Sequence, residues 1–354
     1  MARKPRIIAA QDNSWSRFDH RSADKTETTR QYAGLVEMMG LDFDERALGP
    51  IPTVEGASVK VGTCSWADNT LVKDTNWYPK RSMKAAERLA YYAAQFPVVE
   101  IDSTYYFPPT PELAQSWVDR SPTGFTFDVK AWSLLTGHPT FPHSLWEDLQ
   151  PGVKEEFRDK KNLYAKHLPD EIITECWHRF RHALKPLHDG NRLGGILLQY
   201  PEWFGPKESN RLAIVEAADL LDPYPCFIEF RNAKWLAEHE ADDTFTFLEE
   251  NDLSFVCVDE PQGFASSMPP MLAATSGLGM IRFHGHNDEN WARKDITAAE
   301  RFRYLYADEE LTHWEQKLRR FSSGLKEVHV LFNNCFQDFG VTNAAQMRNL
   351  LTGG

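Results

Sequence analysis

Lys130, Glu229, Arg231, Arg282 and His284 stand at alternate positions inside short apolar runs, and together they offer an ammonium, a carboxylate, two guanidiniums and an imidazole. These are the tools of proton transfer and of anion recognition. A guanidinium presents a planar fork of donors that fits a carboxylate or a phosphate, and a carboxylate or imidazole can carry protons near neutral pH. We take these five as the candidate catalytic set. Glu100, Asp102, Tyr105, Gln199, Asp259 and Asn333 recur at equivalent places and form the candidate substrate-binding set.

Other chemistries compete for the same residues. Glu229, Asp259 and His284 come from three consecutive runs, and such a set can bind a divalent cation with a position left open. Arg231 and Arg282 would lie close and repel that cation, so a metal is not favoured and no cofactor is assigned. Glu100 or Asp102 could pair with Glu229 in glycoside chemistry, which needs the carboxyls roughly 5–9.5 Å apart. Cys64 has no histidine beside it in sequence and reads more simply as a small buried hydrophobe. His178 and His182 are four apart on a helix, but Phe180, Leu184 and Leu187 mark the apolar stripe and put both histidines on the solvated side.

The runs that position these residues are Val59–Trp66, Val98–Tyr105, Phe125–Ala131, Gly195–Tyr200, Cys226–Arg231, Ser254–Asp259, Met280–His284 and Val328–Asn333. Between most of them lie helix-like segments: Met83–Gln95, Glu112–Arg120, Glu208–Asp222, Ala241–Asn251 and His313–Ser322. Eight strands alternating with helices predict an α/β fold, a closed (β/α)8 TIM-like barrel, with an open doubly wound sheet as the rival. No glycine-rich phosphate loop follows the first strand, which weakens a dinucleotide-binding version of that rival. Side chains in a strand alternate faces. Apolar partners such as Val99, Ile101, Ile228, Phe230, Ile281 and Phe283 must meet the helices, so the polar set is expected to point into the barrel and to gather at its C-terminal mouth. Strands covered on both sides ordinarily read as continuous apolar runs. So many inward charges persist only if they pair with one another, stay wet or meet a ligand.

The domain reading is an N-terminal extension over 1–57, with a helix around Lys25–Gly40, followed by the barrel over 58–354. A long insert, about 132–193, separates the third and fourth strands. It carries Leu134-Leu135-Thr136-Gly137-His138-Pro139 and reads as a lid or pocket wall, because loops after barrel strands open onto the catalytic face.

Composition narrows the function classes. Hydrophobic residues make up 42% and charged residues 25%, ordinary values for a globular chain. The formal net charge of −12 disfavours non-specific adhesion to nucleic acid or an anionic membrane. Five isolated cysteines without a C-x-x-C pair argue for a reducing compartment. The opening MARKPRIIAAQDNS holds too short an apolar run for a signal peptide, and no stretch reaches membrane-spanning length. A cytoplasmic location and a small-molecule substrate are therefore expected, with no membrane partner. Nothing fixes an oligomeric state.

A set of short motifs then gives the chain a family resemblance. Gly62-Thr63-Cys64-Ser65-Trp66, Trp77-Tyr78-Pro79, Glu100-Ile101-Asp102-Ser103-Thr104-Tyr105-Tyr106, Phe127-Asp128-Val129-Lys130-Ala131 and Leu198-Gln199-Tyr200-Pro201 occur in order. Ile228-Glu229-Phe230-Arg231, Arg282-Phe283-His284-Gly285, Arg303-Tyr304-Leu305-Tyr306 and Phe332-Asn333-Asn334 follow. Together they resemble the YecE-like family, a widespread group catalogued as a domain of unknown function. The resemblance runs from about Val59 to the C-terminus. It implies a TIM-like barrel distantly similar to sugar isomerases and endonucleases of the xylose-isomerase type, and no established reaction. The family pattern in the first strand is Gly-Thr-Ser-Gly-Trp; Cys64-Ser65 depart from it. The expectation is a hydrolase or isomerase acting on a sugar-like or phosphorylated substrate. The alternative is a non-catalytic module binding nucleic acid or an anionic metabolite.

Overall fold

The structure is a computed structural model that describes residues 6–8 and 47–353. Eight parallel strands close into a ring: β1 (Ala57–Thr63), β2 (Val98–Ile101), β3 (Thr126–Lys130), β4 (Leu193–Gln199), β5 (Cys226–Glu229), β6 (Ser254–Asp259), β7 (Leu278–Phe283) and β8 (Glu327–Phe332). The ring is sealed by β8 against β1, in register from Glu327 with Ser58 to Phe332 with Thr63. An open sheet would leave those two strands as edges, so the doubly wound rival is excluded.

Helices α1 (Ala85–Gln95), α2 (Pro111–Asp119), α3 (Asp170–Ala183), α4 (Glu208–Leu221), α5 (Ala241–Glu250), α6 (Asp308–Ser322) and α7 (Phe339–Thr352) surround the ring. Helix α6 illustrates the local causes. Leu311, Trp314, Leu318 and Phe321 recur three or four apart and are buried, forming the stripe that meets the strands. Asp308, Glu309 and Glu310 lie at its positive end and Arg319 and Arg320 at its negative end, so charge complements the helix dipole at both termini. Helix α2 starts where Thr110 accepts a hydrogen bond from the Leu113 amide and Pro111 fills the first turn.

One crossover departs from the repeat. Among the described residues no helix lies between β6 and β7. A short strand, Leu272–Ala274, takes that place and pairs antiparallel with Arg6–Ile8 near the N-terminus. Thr53–Val54 folds back antiparallel onto the start of β1. The expected helix around Lys25–Gly40 lies outside the described residues.

The insert between β3 and β4 is a chain of single-turn 3-10 helices followed by α3. His178 and His182 are exposed on α3 while Phe180 is buried, as the stripe requires. The second strand is shorter than its β-rich sequence: it ends at Ile101, and Ser103–Tyr105 form a 3-10 turn. Thr104 is the cause. Its hydroxyl is within hydrogen-bond distance of the carbonyls of Ile101 and Lys130, at 2.8 and 2.6 Å, and folds the chain over the strand ends.

Candidate active site

Register decides which side chains enter the barrel. Residues level with one another on neighbouring parallel strands share a face. Glu100 is level with Asp128, and Gln199 with Glu229. Arg282 is level with Val258 on one side and Leu331 on the other. Glu100, Glu229 and Arg282 are completely buried in this inward set.

They form a closed charged floor. Arg282 donates from Nε and Nη2 to the two oxygens of Glu100, each at 2.8 Å, and from Nη1 to Glu229. Glu229 also accepts from Gln199 at 2.7 Å and from Arg231 Nε at 2.8 Å. The two guanidiniums hold the Glu229 carboxyl well below the usual range against the cost of burial. Cys64 lies on the same floor, its thiol 3.3 Å from Glu100, and burial pushes that thiol up. A carboxylate with every oxygen taken by a guanidinium or an amide is a poor proton donor. Glu229 is therefore the anchor of the floor.

Above Glu229, Arg231 reaches Glu260 at 2.5 Å and His284 Nε2 at 3.2 Å. Asn333 lies 2.9 Å from Nδ1 of the same ring. Burial and the neighbouring Arg231 push His284 down to about 3, so the ring is neutral. A guanidinium only donates; Nε2 therefore accepts, Nδ1 carries the proton, and the Asn333 amide must turn its oxygen toward it.

A second buried network fills the N-terminal end. His329 contacts Asp128 at 2.8 Å through Nδ1 and Glu327 at 2.7 Å through Nε2; Lys60 pairs with Glu327 at 2.7 Å. Two carboxylates raise His329 to about 9 despite burial. Gly194 makes room for it, since a Cβ there would stand 2.3 Å from Asp128 Oδ1. The expectation that the inward charges gather at the C-terminal mouth is corrected here. Both ends of the barrel are polar, and the lower set is paired internally.

The upper layer differs from both. Lys130 ends β3, level with the inward face, and among the described residues its ammonium has neither a hydrogen-bond acceptor nor an ion-pair partner within reach. It lies over the Tyr105 ring, 4.6 Å from the centroid. Burial first, then Arg282 below it, lower its pKa. Asp102 follows Glu100 by two residues at the top of β2; among the described residues its carboxylate is equally unpartnered. Burial and Glu100 raise it to about 6. The insert adds His138, 5.3 Å ring to ring from Tyr105 and pushed down to about 3 by burial and by Lys130. Aromatic rings continue outward: His138 to Trp203, Tyr105 to Tyr106, and Phe107 and Phe141 on either side of His143. Tyr106, Phe107, Phe141 and Trp203 are all more than 40% exposed, an apolar rim around a polar opening.

Of the eleven residues proposed from sequence, the structure gathers Lys130, Glu229, Arg231, Arg282, His284, Glu100, Asp102, Tyr105, Gln199 and Asn333 around this opening. Asp259 is the exception. It is level with Phe283 and faces the helices, where it accepts from the Tyr306 hydroxyl at 2.6 Å and meets His286 at 2.9 Å. Its neighbour Glu260 turns inward instead. The error came from assigning the polar member of each pair to the inside: Val258 is the inward residue of β6. Glu229, Asp259 and His284 consequently do not converge, and among the described residues no group of three His, Cys, Asp or Glu side chains is disposed to hold a metal. Sequence reasoning also missed Glu260 and His138. The first was legible from its parity with Val258, the second only once the insert was folded over the mouth.

Among the described residues no helix is long and apolar enough to cross a membrane. A family model described as "Protein of unknown function DUF72" matches residues 60–353. The UPF0759 protein YunF of Bacillus subtilis (strain 168) is 30% identical over 298 residues, covering 83% of this chain and 94% of that protein. Crystal structures of DUF72 family proteins are similar in fold. One from Enterococcus faecalis V583 has a TM-score of 0.66 at 26% identity, covering 84% of this chain and 96% of that one. One from Thermotoga maritima MSB8 has a TM-score of 0.64 at 27% identity, covering 83% and 98%.

Proposed function

The chain belongs to the DUF72 family, of which YecE-like is a variant name, and from that premise we propose that it is an enzyme acting on a small sugar-like or phosphorylated carbonyl compound. The reaction we assign is an isomerase-type proton transfer at the carbon beside the carbonyl. Lys130 activates the carbonyl group, and Asp102 takes and returns the proton. Arg231, His284, Asn333 and Gln199 line the lower wall, and Tyr105 with Trp203 cover the substrate from the rim.

The observation that carries this reading is the contrast between two layers. Glu100, Glu229 and Arg282 satisfy one another. Lys130 ends β3 and Asp102 follows the end of β2, and neither has such partners among the described residues. Titratable groups moved off their ordinary values by burial and left without structural partners are where proton chemistry is done. The hydrolase reading is weaker on the same grounds. Glu100 and Glu229 are the buried carboxylates, and Arg282 keeps both of them in the role of acceptor. The test is a thermal-shift and turnover screen of aldoses, ketoses and their phosphate esters with the wild-type chain, Lys130→Met and Asp102→Asn. A compound that stabilises the wild type and is isomerised by it, but not by either variant, is the expected result. Turnover that survives both substitutions would overturn the assignment.

A further inference from the structure

The ten residues around the mouth differ in how far their polar atoms are committed, and Lys130 is the extreme case. The floor beneath it contains carboxylates, yet their oxygens are turned toward guanidiniums. Glu100 faces Arg282, Glu229 is shared by Arg282, Arg231 and Gln199, and Glu260 is taken by Arg231 and the Met268 amide. What remains for Lys130 is the face of Tyr105, which offers a π surface and no acceptor. A lysine meant to hold an anion as a permanent cation would gain from staying protonated. Here two guanidiniums lie below it, and burial opposes its charge. Burial and the guanidiniums, against the pull of Glu100 and Glu229, favour the neutral amine, whose free electron pair makes it a nucleophile.

We infer that Lys130 acts covalently, forming an imine with an aldehyde or ketone substrate, with Asp102 as the acid that releases water. This rests on the proposed carbonyl chemistry of the same site and names its covalent step. The Nζ electron pair adds to the carbonyl carbon, and the carbonyl π pair becomes the oxygen of a carbinolamine. One nitrogen proton passes to that oxygen. Asp102 protonates the resulting hydroxyl, which departs as water while the nitrogen pair forms the C=N bond, and the iminium nitrogen returns its remaining proton to Asp102. Amine plus carbonyl gives imine plus water, with no oxidant or reductant. Asp102 is suited to both halves of the step, because a carboxyl lifted to about 6 exchanges its proton readily near neutral pH. Tyr105 lies over the amine, with His138 edge-on to Tyr105 and Trp203 edge-on to His138, so the adduct would form beside an aromatic cover.

The experiment uses the full chain with dihydroxyacetone phosphate and cyanoborohydride, which reduces an imine to a stable secondary amine, followed by peptide mapping. Lys130 is expected to be labelled at least about tenfold faster than the exposed Lys294. Asp102→Asn should slow labelling at Lys130 by roughly 100-fold, within the range of a general acid, and leave Lys294 unchanged. Labelling of Lys130 no faster than Lys294 overturns the imine. Solvent deuterium entering the carbon beside the carbonyl, followed by NMR, reads the proton transfer separately. Exchange without a Lys130 adduct sinks the imine and spares the proposed reaction. An adduct without exchange supports the imine and overturns the proton transfer.

Discussion

Arg282 grips Glu100 across the barrel interior in a two-point fork, with both hydrogen bonds 2.8 Å long and neither residue accessible to solvent. A buried pair of this kind gains little over well-packed apolar residues, but breaking it leaves a charge with no compensation. Glu100→Gln should therefore destabilise the fold by about 3–5 kcal/mol, seen as a lower urea midpoint at unchanged slope. Glu100→Leu combined with Arg282→Met should recover at least half of that loss. A single variant as stable as the wild type would show that the floor is not held by this pair.

The lower network predicts a pH dependence of stability. His329 is raised to about 9 in the folded chain, whereas an unfolded histidine titrates near 6.5. The folded state binds the proton more tightly, so its contribution is complete below about 6.5 and is lost as pH rises toward 9. Denaturation midpoints should fall across that window in the wild type. In His329→Gln the fall should be shallower, and the variant should be less stable than the wild type at pH 6. Parallel curves for the two proteins would remove His329 as the cause.

Most of the ring was legible because strand parity is local information. Val99 beside Glu100, or Ile228 beside Glu229, states in two residues which side meets a helix. The rule failed at β6, where Val258 and Asp259 have the same pattern and the opposite outcome. Asp259 finds Tyr306 and His286 on the outside, partners more than 25 residues away that no local pattern announces. His138 was out of reach for the same reason: its approach to Tyr105 depends on the path of the insert. The division into a paired floor and an unpartnered upper layer is likewise a matter of distance. Sequence put Glu229 and Lys130 together; the structure gives them different surroundings, one held by two guanidiniums and an amide, the other over the Tyr105 ring.

The segment just after β1 predicts a stabilising substitution. Ser65 has a φ of 125°, a backbone region that glycine enters freely and side chains avoid. The YecE-like pattern has glycine at this place, which is what that backbone requires. Its hydroxyl accepts from the Ala67 amide at 3.1 Å, a contact on the exposed side that offsets part of the cost. Ser65→Gly should stabilise the chain by about 0.5–2 kcal/mol, the strain of such a residue less the lost hydrogen bond. A melting temperature unchanged or lower would mean the strain is absent or already compensated.

Asp102 should behave in the opposite way from Glu100. Glu100 lies in β2 and Asp102 just past its end, yet one has a guanidinium and the other has no hydrogen-bond or ion-pair partner among the described residues. Burial and Glu100 lift Asp102 from about 3.8 to about 6, so above that pH its ionised form is less favourable in the folded chain than in the unfolded one. The resulting destabilisation is absent below the unfolded value and grows as pH rises to the folded one. Replacing Asp102 with the neutral isostere asparagine should therefore raise stability near pH 8, by on the order of 1–2 kcal/mol. It should also lower turnover of an identified substrate by 10²–10⁴, the usual contribution of a positioned acid or base. The wild-type rate should rise with pH through about 6, as the basic form appears, and that limb should be missing from the variant. A residue kept for the fold loses stability when it is neutralised, whereas a residue kept for chemistry gives up activity and gains stability. Calorimetry and a pH–rate profile on the same Asp102→Asn sample separate the two cases. Lower stability with activity retained would move Asp102 into the structural floor with Glu100.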